Sequence, residues 1–167
     1  MSGTLLEGKA HKLGDHVNTD LIIPATYLVT NDPTELGEHL LEGLDPTFAS
    51  RVKPGDVLVG GIDFGSGSSR EHAPIAIKGA GISCVVASSF ARIFFRNAMN
   101  VGLPILESSE AFEVIMDGDR VRIDLTAGTI EDVTLGARFS VPGYPEFMQK
   151  LIDSGGLINY LMERDKT

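Results

Sequence analysis

Two periods of apolar and polar residues follow one another along this chain, and the changes between them lay out its elements. Gly3 to Leu13 reads as a short strand-like lead. Leu36, Leu40, Leu41 and Leu44 recur at helical spacing, so a helix is predicted over Thr34 to Leu44, with Pro33 in its first turn. The turn Lys53-Pro54-Gly55-Asp56 precedes a strand reaching Ile62. Glu71 to Gly79 reads as a helix that tolerates Pro74 in its first turn. Ile82 to Ala87 is continuously apolar and predicts a strand buried on both faces. Phe90 to Asn97 reads as a helix stopped by Gly102, and Leu103 to Leu106 as another buried strand. Phe112 to Met116 is helical in pattern. Arg120 to Leu125 alternates and Thr129 to Thr134 does so similarly across Gly128, which predicts a hairpin. A last helix from Tyr144 to Asp153 is broken at Gly155-Gly156 and followed by a short one over Leu157 to Glu163. Strands alternate with helices in the middle and pair as a hairpin later, so the fold class is α/β with a mixed sheet. No repeat or linker interrupts the pattern, and residues 1–167 are expected to form a single domain.

Composition narrows the function. Apolar residues make up 43 % and charged residues 22 %, as in a packed globular chain. The net charge of −9 argues against nucleic acid or an anionic membrane as partner, since both demand basic surface. It leaves room for a local basic pocket, for which Arg51, Arg70, Arg92 and Arg96 are candidates. No apolar run approaches the roughly 20 residues that cross a bilayer, and no signal peptide is evident, so a cytoplasmic location is expected. One cysteine, Cys84, fits a reducing compartment and reads as a core residue. A single thiol does not hold an iron–sulfur cluster, and His11, His16 and His39 lack metal-ligand spacing and read as surface residues. No metal is expected on this chain.

Candidate chemistry is concentrated in Gly65-Ser66-Gly67-Ser68-Ser69-Arg70-Glu71-His72, between a predicted strand and a predicted helix. Glycine lets backbone approach a ligand closely, two hydroxyls donate and accept, and a guanidinium forks onto a carboxylate or phosphate. A helix N-terminus adds unpaired N–H groups and partial positive charge. These features suggest an anion-binding loop that presents a nucleophilic or basic oxygen; a tight connection with a capping serine uses the same residues. The Walker and dinucleotide loops are excluded, because Arg70 stands where the one needs Lys-Ser/Thr and the other a third glycine.

Asp63 to Ala73 resembles the signature of the small, swivelling domain of the aconitase superfamily. Asn18-Thr19-Asp20-Leu21-Ile22-Ile23-Pro24-Ala25 upstream and Ser88 to Pro104 downstream resemble its other conserved segments, in the same order. Within the superfamily the likeness is to stand-alone small subunits of 3-isopropylmalate dehydratases, with homoaconitase small subunits as near relatives. The resemblance implies a swivelling β/β/α fold, a barrel-like mixed sheet covered by helices. It implies dehydration and rehydration of a hydroxy-dicarboxylate, and a large-subunit partner, in a heterodimer or heterotetramer, that carries a [4Fe–4S] cluster. By the same resemblance Ser68 matches the catalytic base, Arg70 the arginine on a substrate carboxylate, and Asp20 an acidic residue at the edge of the site. Ser69 and Gly67 match substrate-contacting positions. His72 is expected to orient the loop or cap the helix, and Arg92 and Arg96, on one helix face, to serve structure or interface.

The resemblance also implies that Tyr27-Leu28-Val29-Thr30 reads the group on the malate backbone. Homoaconitase-like subunits carry arginine where this chain has Val29, and valine does not pair with an extra carboxylate. That favours an isopropyl group, while Thr30 departs from the methionine expected and keeps citramalate and dimethylmalate in view. Outside enzymes, the alternative is an anion-binding regulatory module.

Overall fold

The computed structural model describes residues 5–68 and 70–165. Strands β1 (Leu5–Lys12), β2 (Val57–Gly60), β3 (Cys84–Ala87), β4 (Ile105–Glu107), β5 (Arg120–Asp124), β6 (Thr129–Asp132) and β7 (Ala137–Ser140) form one sheet in the order β4-β3-β2-β1-β5-β6-β7. β1, β2, β3 and β4 run parallel, while β5 to β7 form an antiparallel meander attached to the other side of β1. The two halves follow the two sequence patterns. Every residue of β2 and β3 is buried, as their unbroken apolar runs require, whereas β5 alternates exposed and buried positions.

Between β1 and β2 lie short helices α1 (Thr19–Ile22), α2 (Pro33–Gly37) and α3 (Phe48–Arg51). Helix α4 (His72–Gly79) joins β2 to β3, and α5 (Arg92–Val101) joins β3 to β4, ending at Gly102 in the left-handed conformation. Helix α6 (Ser109–Val114) precedes the meander, and α7 (Glu146–Ser154) and α8 (Leu157–Asp165) close the described chain around the Gly155-Gly156 break. The sheet curls into a half-barrel whose edge strands β4 and β7 do not pair, and one side chain past β7 reaches across to β4. The Tyr144 hydroxyl, just beyond β7, accepts from the Ile105 N–H at 2.8 Å and donates to the Ile105 carbonyl at 2.5 Å on edge strand β4. The aconitase-type expectation of a barrel-like mixed sheet with helical cover is thereby met.

Three local expectations are corrected. The predicted helix over Thr34 to Leu44 stops at Gly37 and continues as turns. Leu41 donates its N–H to the Ile22 carbonyl at 2.8 Å instead of continuing the helix, and takes a φ of +56°. Leu36, Leu40 and Leu41 are nonetheless buried while Leu44 is half exposed, so the first three leucines reported burial and not a helix. His11 is not a surface residue: it is 2 % exposed, with Nε2 at 2.7 Å from Asp56 Oδ2. The hairpin expected over Arg120 to Thr134 is extended to a three-strand meander by β7, which pairs with β6 in a stretch for which no element was expected. Cys84 is fully buried, and burial pushes its thiol well above the ordinary range.

A second buried acid pair makes a pH prediction. Asp132 is fully buried close to Asp119, which is nearly so, and Asp132 Oδ2 has no hydrogen-bond partner among the described residues. Burial, then the neighbouring Asp119, raises the Asp132 carboxyl above the usual carboxylate range. A raised folded value means the folded state binds the proton more tightly than the unfolded chain. This contribution is complete below the unfolded value, about 3.9, and is lost as pH rises through the folded one. In Asp132→Asn the amide keeps both the donor and the acceptor for the Leu135 N–H. The difference in Tm, variant minus wild type, is therefore expected to grow from pH 4 to pH 8; a constant difference refutes the raised Asp132 carboxyl.

Candidate active site

All three signature segments meet at the carboxyl ends of β1, β2 and β3, the edge where parallel α/β sheets place their ligands. Val17 accepts from the Gly65 N–H at 2.8 Å, and the Thr19 N–H donates to the Ser66 carbonyl at 2.8 Å. The Thr19 hydroxyl donates to the Ser68 carbonyl at 3.1 Å. On the other side Phe64 bonds through its N–H to the Ser89 carbonyl and through its own carbonyl to the Ala91 N–H. Phe64 is fully buried, with its ring edge-on to Phe90 and Phe94. The Gly/Ser loop is thus stitched to a neighbour on each flank and seated on aromatic rings.

Glycine is required in it. Gly65 has a φ of +83°, and a Cβ there would lie 2.2 Å from the Phe94 ring. Gly67 has a φ of +98° beside Asn18 and Thr19. Asp63, at the entrance, takes a φ of +60°, a conformation that Asp tolerates better than most residues.

Ser68 is exposed, and its hydroxyl makes no hydrogen bond among the described residues. Arg70 is mostly covered, its side chain 17 % exposed, with Nη1 at 2.5 Å from Asp20 Oδ1 and 3.4 Å from the Ile23 carbonyl. Its Nε and Nη2 donors are uncommitted among the described residues, so the guanidinium is anchored at one corner and open at the others. Asp20 sits in the first turn of α1, held by Asn18, whose side chain accepts from the Leu21 N–H. Ser69 lies outside the described residues. His72 is the first residue of α4 and does not cap it; its Nε2 is buried with no hydrogen-bond partner among the described residues.

The four-residue stretch from Tyr27 forms the other arm. Tyr27 ends a 3₁₀ turn (Ala25–Tyr27), Leu28 packs on the core, Thr30 bonds Glu35, and Val29 is 92 % exposed. Of the basic candidates only Arg70 is at this site. Arg51 pairs with Asp45, and Arg92 and Arg96 line a separate cleft with Phe90, Phe95 and Met99. Sequence reading missed Thr19, whose hydroxyl ties two segments together, and the pair His39 and Glu42 beneath Tyr27. Thr19 was inside a recognised motif; nothing in the spacing of His39 and Glu42 set them apart from a helix surface.

The Aconitase C-terminal domain family matches residues 45–111, which include the Gly/Ser loop. The 3-isopropylmalate dehydratase small subunit of Caldanaerobacter subterraneus subsp. tengcongensis is 57 % identical over 159 residues, covering 95 % of this chain and 99 % of its own. The chain belongs to the 3-isopropylmalate dehydratase small-subunit family. Members of this family and its close relatives differ in substrate: the 2,3-dimethylmalate dehydratase small subunit of Eubacterium barkeri is 54 % identical, covering 96 % of this chain and 98 % of its own. The crystal structure of a 3-isopropylmalate dehydratase from Methanocaldococcus jannaschii superposes with a TM-score of 0.90 at 46 % identity, over 97 % of this chain and 96 % of that one. Among the described residues no cluster of three His, Cys, Asp or Glu is placed to hold a metal, and no helix is long and apolar enough to cross a membrane.

Proposed function

We propose that this chain is the small subunit of a 3-isopropylmalate dehydratase, a hydro-lyase that interconverts 2- and 3-isopropylmalate in leucine biosynthesis and works only with its large subunit. The observation that carries the proposal is a half-built site: an exposed Ser68 hydroxyl with no hydrogen-bond partner and an Arg70 guanidinium with uncommitted Nε and Nη2 donors, among the described residues. A serine is a weak base in water, and its role requires amide N–H groups, a cation and exclusion of solvent. An open edge supplies the first two and leaves the third to a covering partner. Family membership supports the same division, since relatives at 54–57 % identity bear small-subunit names.

In this reading Ser68 takes the proton from the carbon next to a substrate carboxylate. Arg70 holds that carboxylate as its negative charge grows, and Asp20 keeps the guanidinium aimed. Ser69 and Gly67 contact the substrate from the loop. Tyr27, Leu28, Val29 and Thr30 form the loop that reads its variable group, with Val29 as the apolar wall against it. A [4Fe–4S] cluster in the large subunit supplies the Lewis acid for the leaving hydroxide. This chain contributes no metal ligand, acts on a soluble small molecule in the cytoplasm, and comprises one domain over residues 1–167.

A substrate panel tests the proposal. The chain is mixed with a large subunit of a 3-isopropylmalate dehydratase, and rates on isopropylmalate, dimethylmalate, citramalate and homocitrate are compared. Isopropylmalate is expected to turn over fastest, and the chain alone to be inactive. Val29→Arg should lower kcat/KM for isopropylmalate by about a hundredfold, the scale on which a pocket discriminates alkyl groups. Activity of the isolated chain, or preference for dimethylmalate, overturns the assignment.

A further inference from the structure

The turns from Glu38 to Leu44 stand where a helix was expected, and they carry a side-chain cluster without a task in the site as described. The Tyr27 and His39 rings stack with centroids 3.8 Å apart and planes 10° from parallel. The Tyr27 hydroxyl donates to Glu42 Oε1 at 2.5 Å, and His39 Nδ1 lies 2.8 Å from Glu42 Oε2. The Tyr27 hydroxyl, then His39, hold the Glu42 carboxyl below its usual range, so it is an acceptor on both oxygens and His39 Nδ1 carries the donated proton. Glu42 therefore closes a ring of three side chains under the first residue of the substrate loop. At the far end of that loop Thr30 donates to Glu35 Oε2 at 3.2 Å and accepts from the Asp32 N–H at 3.1 Å.

We infer that Glu42 is a positioning residue for substrate selection: by clasping Tyr27 against His39 it fixes the loop so that Val29 alone projects toward the variable group of the substrate. The inference rests on the reading of Tyr27 to Thr30 as the substrate loop. Several observations converge on it. Tyr27, Leu28 and Thr30 are each anchored, by the clasp, the core and Glu35, whereas Val29 is 92 % exposed. The same turns also hold the catalytic arm, since Leu41 donates its N–H to the Ile22 carbonyl at 2.8 Å. A Cβ on Gly43 would lie 3.1 Å from the Asp20 carbonyl. Unwinding the helix after Gly37 thus puts one segment against both arms of the site. The side chains of His39 and Glu42 keep 30 % and 32 % of their surface in solvent, so the cluster lies at the edge of the core and not inside it.

Glu42→Ala and Tyr27→Phe each remove the short bond. In the reconstituted enzyme both are expected to raise KM for isopropylmalate about tenfold, the equivalent of one hydrogen bond, with kcat changed less than about twofold. Citramalate, whose methyl group is too short to lean on Val29, should keep its KM. Glu42→Gln retains an acceptor for Tyr27 and a donor for the other His39 tautomer, and should restore most of the loss. Val29→Ala is run in parallel. A ratio of isopropylmalate to citramalate KM that moves in the Ala and Phe variants and recovers in Gln supports the clasp. Equal losses on both substrates mean a merely structural role and overturn it. A ratio moved by Val29→Ala but not by Glu42→Ala overturns the clasp and leaves the loop reading intact. A ratio moved by neither overturns the loop reading and the clasp with it.

Discussion

Ser68→Ala is expected to lower turnover of the reconstituted pair by about a thousandfold, the usual contribution of a positioned proton acceptor in a site that also stabilises charge. Assembly should be untouched. The Ser68 side chain is exposed and makes no hydrogen bond among the described residues, and the loop is held by main-chain bonds from Val17, Thr19 and Ser66 and by the ring of Phe94. Alanine fits the same backbone. The measurement is single-turnover kinetics on isopropylmalate, with co-elution of the two subunits on gel filtration as the control. Loss of activity with loss of co-elution would mean that Ser68 serves the interface. Full activity with intact assembly removes Ser68 from the chemistry.

The second large effect concerns stability. Asp56 is 4 % exposed, and its carboxylate accepts the Lys9 N–H, the Lys53 N–H and His11 Nε2, at 3.2, 3.0 and 2.7 Å. It ties β1 to the turn before β2, the first parallel pair of the sheet. Asp56→Ala leaves three donors without their acceptor in a dry place, so a loss of about 3 kcal/mol and a fall in Tm of about 10 °C are expected. The pH dependence has a definite sign. Burial raises the Asp56 carboxyl, but the Lys53 N–H, His11 and the Lys9 N–H outweigh it and hold the folded value below the ordinary one. A lowered folded value contributes stability above the unfolded pKa and loses it as pH falls through the folded one. The gap between wild type and variant should therefore be widest near neutrality and shrink below about pH 4. A gap that widens on acidification would contradict the assignment of a buried carboxylate.

The loop itself was legible because its residues are needed for backbone reasons as well as chemical ones. Glycines at 65 and 67 occur where φ is positive, and at 65 the Phe94 ring also leaves no room for a Cβ. Ser68, Arg70 and Asp20 were legible only through likeness to a family, since no spacing rule joins residue 20 to residue 70. Their juxtaposition, with Arg70 Nη1 on Asp20 Oδ1, depends on β1 and β2 lying side by side and parallel. The helix expected over Thr34 to Leu44 failed for an instructive reason. Leucine periodicity measures which residues are buried, and the Ile22 carbonyl competes for the Leu41 N–H that a helix would use. His11 was read as a surface residue because a histidine gives no local sign of a buried carboxylate partner 45 residues away.

By itself the sequence determined which segments are buried strands, where glycine must turn the chain, and which side chains are chemically equipped to act; these follow from local sterics and from the free energy of hiding apolar surface. Tertiary structure alone decided that Asp20 meets Arg70, that His11 is sealed against Asp56, and that Glu42 holds both Tyr27 and His39. Those contacts join residues whose positions in the chain carry no information about each other until the parallel half of the sheet brings the ends of β1, β2 and β3 to one edge.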